Sequence, residues 1–242
     1  MPELDLVLVP GGTLRVGATV ERVRADVLAH ADLGIPWHYF SKETGDATFE
    51  IADLRVQRCP MTWGELRALL PEVEAAVRTA DEGAHHPVDR LSWEVAVRVA
   101  ARAAERFAQP LRLLTEWEWE HVARGGDDRV YPWGDVYEPS RCNLAEGGSG
   151  GTRPVGSFPS GASRHGVLDL AGNVDEWTSS LYAPLPGAHW SVPVRELWSA
   201  DPHVTRGGSF AHHRDLARTR RRHGLYRPWV GAGLRLVMDA GR

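Results

Sequence analysis

Hydrophobic positions along this chain recur at helical spacing in four stretches and at strand spacing in a few short ones, and the rest follows neither period. Residues 20–31, VERVRADVLAHA, repeat apolar side chains at helical intervals, as do residues 62–70 behind Thr62, whose hydroxyl can cap the free amides of a first turn. The longest run is 92–107. Ser92 caps it, Glu94 and Glu105 face water, and Val95, Val99 and Ala103 fall on one face. A fourth helix starts at Thr115, because Thr115-Glu116-Trp117-Glu118 spells a capping box in which hydroxyl and carboxylate satisfy each other's backbone amides. It stops at Gly125-Gly126, since glycine enters the left-handed C-cap conformation at little cost. Leu6–Val9 before Pro-Gly-Gly reads as a strand and turn, and Thr205–Phe210 and Gly233–Met238 as later strands. From Asp127 onward glycine and proline interrupt every long period, which predicts ordered loops between short strands. No internal repeat or linker divides the chain, so one α+β domain over residues 1–242 is expected.

Composition narrows the class. With 43% hydrophobic and 25% charged residues the chain can fill a core without staples, and a net charge of -4 with no block of one sign excludes nucleic acid as the partner of the whole surface. Cys59 and Cys142 are too few and too far apart for a disulfide framework. The N-terminus lacks a basic region before an apolar run, and nothing approaches a membrane span, so a reducing cytoplasm and no membrane partner are expected. The one basic concentration is Arg214, Arg218, Arg220, Arg221, Arg222 and Arg227. It reads either as a salt-bridged strand face or as a pocket for an acidic ligand.

Four blocks set the chain apart from a generic domain. LRLLTEWEWEHVARGGDDRVYPWG at 111–134 joins the capped helix, the Gly-Gly break and a Tyr-Pro-Trp-Gly turn. RPVGSFPSG follows at 153–161, HGVLDLAGNVDEWTSS at 165–180, and TRGGSF at 205–210 with its GAGLRLV ending. Together they resemble the formylglycine-generating-enzyme, or sulfatase-modifying-factor, family over roughly two-thirds of the length. The resemblance implies an irregular, C-type-lectin-like α+β domain with few short strands and two main helices.

Within HGVLDLAGNVDEW, Asp169 and Glu176 supply hard carboxylate oxygens, and the Gly172 turn can aim carbonyls inward, which suits calcium's about six to eight loosely arranged oxygens. Hydrogen bonding to loop amides is the other use for these carboxylates. The resemblance implies a structural calcium at Asp169, Gly172, Val174 and Glu176. It implies a second at a site opening with Asn143 and Leu144, whose downstream acid is displaced to Glu146 or missing. In the family, copper(I) held by two thiolates five residues apart oxidises a sulfatase cysteine. Aligned on Gly207-Gly208-Ser209, those positions hold His212 and Ala217 here. A soft ion needs soft ligands, so formylglycine formation is not expected. Sulfoxide synthesis, which the family's iron enzymes perform with a further helical domain, is not expected either.

Histidines are the remaining candidates. His212 and His213 follow the Gly-Gly-Ser segment and His223 lies further on; strand alternation lets at most one of the first two share a site with His223. Imidazole with carboxylate suits iron, copper or zinc, whereas packing or surface hydrogen bonding is the ordinary use of each histidine. Glu118 and His121 share a helix face, although Glu118 already has a capping role. Arg218 and Arg222, four apart, would clamp one anion if the segment were a strand. No nucleophile elbow, Walker loop, dinucleotide fingerprint or HExxH occurs. Trp117, Trp119, Trp133 and Trp177 match family core positions, which leaves Trp190, Trp198 and Trp229 for ligand contact. Two functions are compatible with this reading. One is an oxidative enzyme with a non-thiolate iron or copper site acting on a peptide or small molecule. The other is a module binding a peptide, a protein or an acidic small molecule.

Overall fold

The computed structural model describes residues 4–73, 83–189, 203–224 and 230–241. In chain order the described strands are β1 (Leu6–Val9), β2 (Gly12–Val16), β3 (Ala47–Ile51), β4 (Leu54–Gln57), β5 (Arg112–Leu113), β6 (Asp175–Leu181), β7 (His203–Arg206), β8 (Ala232–Gly233) and β9 (Leu236–Asp239). The helices are α1 (Val20–Ala29), α2 (Trp37–Phe40), α3 (Trp63–Leu69), α4 (Trp93–Phe107) and α5 (Glu116–Arg124), with short 3-10 turns between. The protein is thus a mixed α+β domain of several small sheets.

Local chemistry explains the helix starts. Thr62 accepts from the Glu65 amide while Glu65 accepts from the Thr62 amide at 2.7 Å, and Thr115 and Glu118 repeat the arrangement at 3.2 and 2.8 Å. α5 ends where predicted, with Gly125 at φ 61°.

The main sheet runs β1-β4-β9-β5, all antiparallel. Adjacent residues of a strand point to opposite faces, and Leu236 and Val237 of β9 duly enter two different cores. Leu236 joins Trp63, Leu66, Val99 and Trp177 beneath α4, whereas Val237 joins Val9, Leu54, Trp119 and Val122 beneath α5. A second sheet pairs β2 with β3, and a third runs β7-β6-β8, antiparallel on one side of β6 and parallel on the other.

Two expectations need correcting. The strand predicted over Thr205–Phe210 ends at Arg206, because Gly207 and Gly208 take φ of 98° and 71° and turn the chain. The segment that follows is a series of turns rather than a strand, so alternation arguments about residues 211–222 do not apply. Among the described residues no helix is long and apolar enough to cross a membrane.

Candidate metal centre

β6 begins at Asp175, which is fully buried. Its backbone N–H donates to Gly231 at 2.7 Å and its Oδ1 accepts from the Gly208 amide at 3.0 Å. β7 lies beside β6, and the Gly207-Gly208 turn folds the chain back so that the His212 amide reaches the Ser209 carbonyl at 2.9 Å. That turn swings the imidazole of His212 to Asp175, with Nδ1 3.1 Å from Oδ2. The backbone N–H of Ser209 also points at Nδ1, at 3.1 Å. His223 is fixed separately: it exchanges backbone hydrogen bonds of 2.8 and 3.2 Å with Thr205 of β7. Its ring meets His212 edge-on, centroids 5.0 Å apart. One possible ligand atom from each of Asp175, His212 and His223 lies within 4.8 Å of the others.

The electrostatics ask for a cation here. Asp175 Oδ2 is buried without a hydrogen bond, facing the Nδ1 edge of His212. Burial works against a charged His212, but the close approach and negative charge of Asp175 outweigh it and raise its pKa. Burial and the charges of the neighbouring His212 and Arg221 hold His223 well below the usual histidine value. A proton on His212 or a metal ion can fill the space between these lone pairs. Two ligands at right angles on an ion with bonds of about 2.1 Å lie about 3 Å apart, which the Nδ1–Oδ2 spacing meets. Sequence reasoning missed Asp175. Its neighbour Glu176 drew attention, yet on a strand two adjacent carboxylates serve opposite faces.

The other candidates have different partners. Arg218 and Arg222 do not clamp an external anion. Arg218 forms a two-pronged pair with Glu43 at 2.8 and 2.6 Å and reaches Asp26, while Arg222 does the same with Glu116 at 2.8 Å on both prongs. His213 is exposed, 3.5 Å from Glu146. His121 meets the Pro10 carbonyl at 2.8 Å, and Glu118 pairs with Arg112, so the Glu-x-x-His face holds no common site.

Glu176 is corrected as a calcium ligand, because its carboxylate already holds Arg235 and the Trp119 indole at 2.6 and 2.8 Å. Asp169 accepts from the Gly156 amide at 2.7 Å. Gly172 bonds the Gly207 carbonyl, and Val174 is buried. The second calcium expectation is met by a neutral network instead. Asn143 accepts from Ser149 and donates to Asn173 and Gly151, and Leu144 packs in the core. Copper thiolates do not fit: Ala217 is buried and offers no ligand atom, and burial pushes the Cys142 thiol packed in the same cluster to about 12. Trp190, Trp198 and Trp229 fall outside the described residues.

A mixed α+β domain with two histidines and a carboxylate gathered beside its Gly-Gly turn is the class defined so far. Sequence comparison places it: residues 2–240 match the sulfatase-modifying factor enzyme 1-like domain, and the chain belongs to that family. It is 37% identical over 167 residues to "Inactive C-alpha-formylglycine-generating enzyme 2" of Mus musculus, covering 64% of this chain and 50% of that protein. It is 36% identical over 169 residues to "Hercynine oxygenase" of Mycolicibacterium thermoresistibile, covering 64% of this chain and 36% of that one. The chain therefore spans half or less of these relatives. PvdO from Pseudomonas aeruginosa has the same fold, with a TM-score of 0.70 at 21% identity over 97% of this chain and 94% of PvdO.

Proposed function

We propose that the protein is a metal-dependent oxidative modifying enzyme whose centre is Asp175, His212 and His223, and that its metal is iron(II). The observation that carries this reading is the convergence, within 4.8 Å, of one ligand atom from each of two imidazoles and a carboxylate whose Oδ2 is buried without a hydrogen bond. Two histidines and a carboxylate on one side of an ion, with the other side open, are the ligand set of non-haem iron oxygenases. Bound there, the metal would supply dioxygen activation. The chain's own part is to hold the three ligands: Thr205 pins His223, the Gly207-Gly208 turn presents His212, and the Gly208 amide fixes Asp175 through Oδ1 so that Oδ2 faces the site. Kinship with a hercynine oxygenase supports oxidation, and a peptide or small molecule is the substrate class. The ground for an acidic ligand weakens, since Arg218 and Arg222 are already paired.

The test is oxygen uptake by protein loaded anaerobically with iron(II), then offered thiol-bearing peptides and small thiols. Uptake above that of free iron, abolished by Asp175→Ala and His212→Ala, is expected, with no aldehyde formed on a sulfatase-type cysteine peptide even with copper(I). The name of the mouse relative favours a second reading, a non-catalytic binding module. Metal-independent ligand binding without oxygen uptake would establish that reading instead.

A further inference from the structure

Of 28 lysine and arginine residues in the chain, one is lysine, Lys42. The other 27 are guanidiniums, which do not give up their protons, whereas an amine can. This single amine is buried, 2% exposed, in the 3-10 turn Ser41–Glu43. Its Nζ lies 5.5 Å from the Tyr39 ring centroid and 5.4 Å from that of Tyr182. The carboxylates around it are committed elsewhere: Glu43 to Arg218, Asp215 toward Arg221, Glu116 to Arg222. Among the described residues Lys42 forms no ion pair. Burial without an ion-pair partner and the charge of Arg221 hold its pKa well below the lysine norm, which favours the neutral, nucleophilic form of the amine.

Two guanidinium nitrogens of the same cluster have the complementary deficit. Nε of Arg221 and Nη1 of Arg222 are buried without a hydrogen-bond acceptor. Arg222 lies over the Tyr182 ring that Lys42 also faces, its Cζ 5.0 Å from the centroid, and Arg221 donates to the Tyr39 carbonyl at 2.5 Å. A desolvated amine and two unsatisfied guanidinium N–H groups thus belong to one buried cluster whose carboxylates, Glu43, Asp215 and Glu116, are already engaged by arginines.

We propose that Lys42 is a carbon dioxide acceptor, held in the folded protein as an Nζ-carbamate whose carboxylate faces Arg221 and Arg222. The Nζ lone pair attacks the carbon of carbon dioxide, an N–C bond forms, one C=O π pair moves onto oxygen, and one N–H proton leaves to water. Nothing is oxidised or reduced. The product offers carboxylate acceptors to both orphaned donors. Carbon dioxide is small and uncharged, so thermal opening of the turn suffices for entry. The inference does not depend on a metal at Asp175, His212 and His223.

A one-lysine chain makes the test clean. Protein equilibrated with 13C-bicarbonate should show two carbamate resonances by 13C NMR, one from the α-amino group and one from Lys42. The Lys42→Arg and Lys42→Met variants should lose one of them while keeping the other. Trapping the wild type with a trialkyloxonium reagent, followed by peptide mass mapping, should place the added ester on the Lys42 peptide, and this readout holds even if the variants fold poorly. An unmodified Lys42 peptide after trapping, or a single resonance shared by wild type and variants, would overturn the proposal and leave Lys42 a free amine between two tyrosine rings.

Discussion

Beneath α4 the interior is apolar: Met61, Trp63, Leu66, Val99, Trp177 and Leu236 interdigitate with no charge among them. Between α5 and the turns after β7 it is ionic. There Arg206, Arg218 and Arg222 are buried as deeply as any leucine, each against a carboxylate from a distant part of the chain. The apolar region tolerates change in proportion to volume lost. The ionic region does not, because deleting one member strands a buried charge, and that costs more than the pair itself contributes. The irregular segment 207–223 is therefore held by directed ion pairs where hydrophobic periodicity is absent, and those pairs fix the backbone that carries His212 and His223.

The comparison breaks most readily at Glu116. Glu116→Ala strands Arg222 and leaves Arg206 on Glu120 alone, and should cost about 3–5 kcal/mol by denaturant unfolding. A loss below about 1 kcal/mol would mean that solvent enters the cluster and that it is not an ionic core. On the apolar side, Leu66→Ala should cost about 3 kcal/mol, with the same ligand-site geometry retained by near-ultraviolet circular dichroism. A change in that signal as large as the one Glu116→Ala produces would erase the distinction between the two regions.

Lys42 sharpens the contrast through pH. Its folded pKa is depressed, so between that value and the unfolded one, about 10.4, the unfolded chain binds a proton that the folded chain does not. Stability in carbon-dioxide-free buffer should therefore rise with pH across that window, by up to roughly 1.4 kcal/mol per unit, and Lys42→Met should flatten the slope. Equal slopes would place a charged ammonium in the native state. Smallest of all are the helix caps. Thr115→Ala should cost about 1 kcal/mol, and Ser92→Ala less, since Ser92 accepts from Val95 at a long 3.4 Å. A larger loss at Ser92 would reverse that ranking.

These differences also mark what the sequence made legible. The Thr62 cap, the Thr115 capping box and the Gly125 stop are written within a few residues, and the helices they bound appear where they were expected, whereas the short α2 was not foreseen. The ionic core is not local. Glu43 and Arg218 are 175 positions apart and Glu116 and Arg222 106, so the basic run could be read equally as a ligand pocket. His212 and His223 were each recognisable, but their meeting required the Gly207-Gly208 turn to end a strand that the sequence pattern extended to Phe210. Asp175 went unnoticed beside Glu176 because only the direction of β6 reveals that Glu176 faces Arg235 and Asp175 faces the histidines.

Anaerobic titration of untagged protein with iron(II), followed by metal analysis after gel filtration, tests the central claim most directly. The account predicts one retained equivalent in the wild type and its loss in Asp175→Ala, His212→Ala and His223→Ala, with His213→Ala and Asp169→Ala unaffected. Retention of a full equivalent by the first three variants, or none by the wild type, would contradict it.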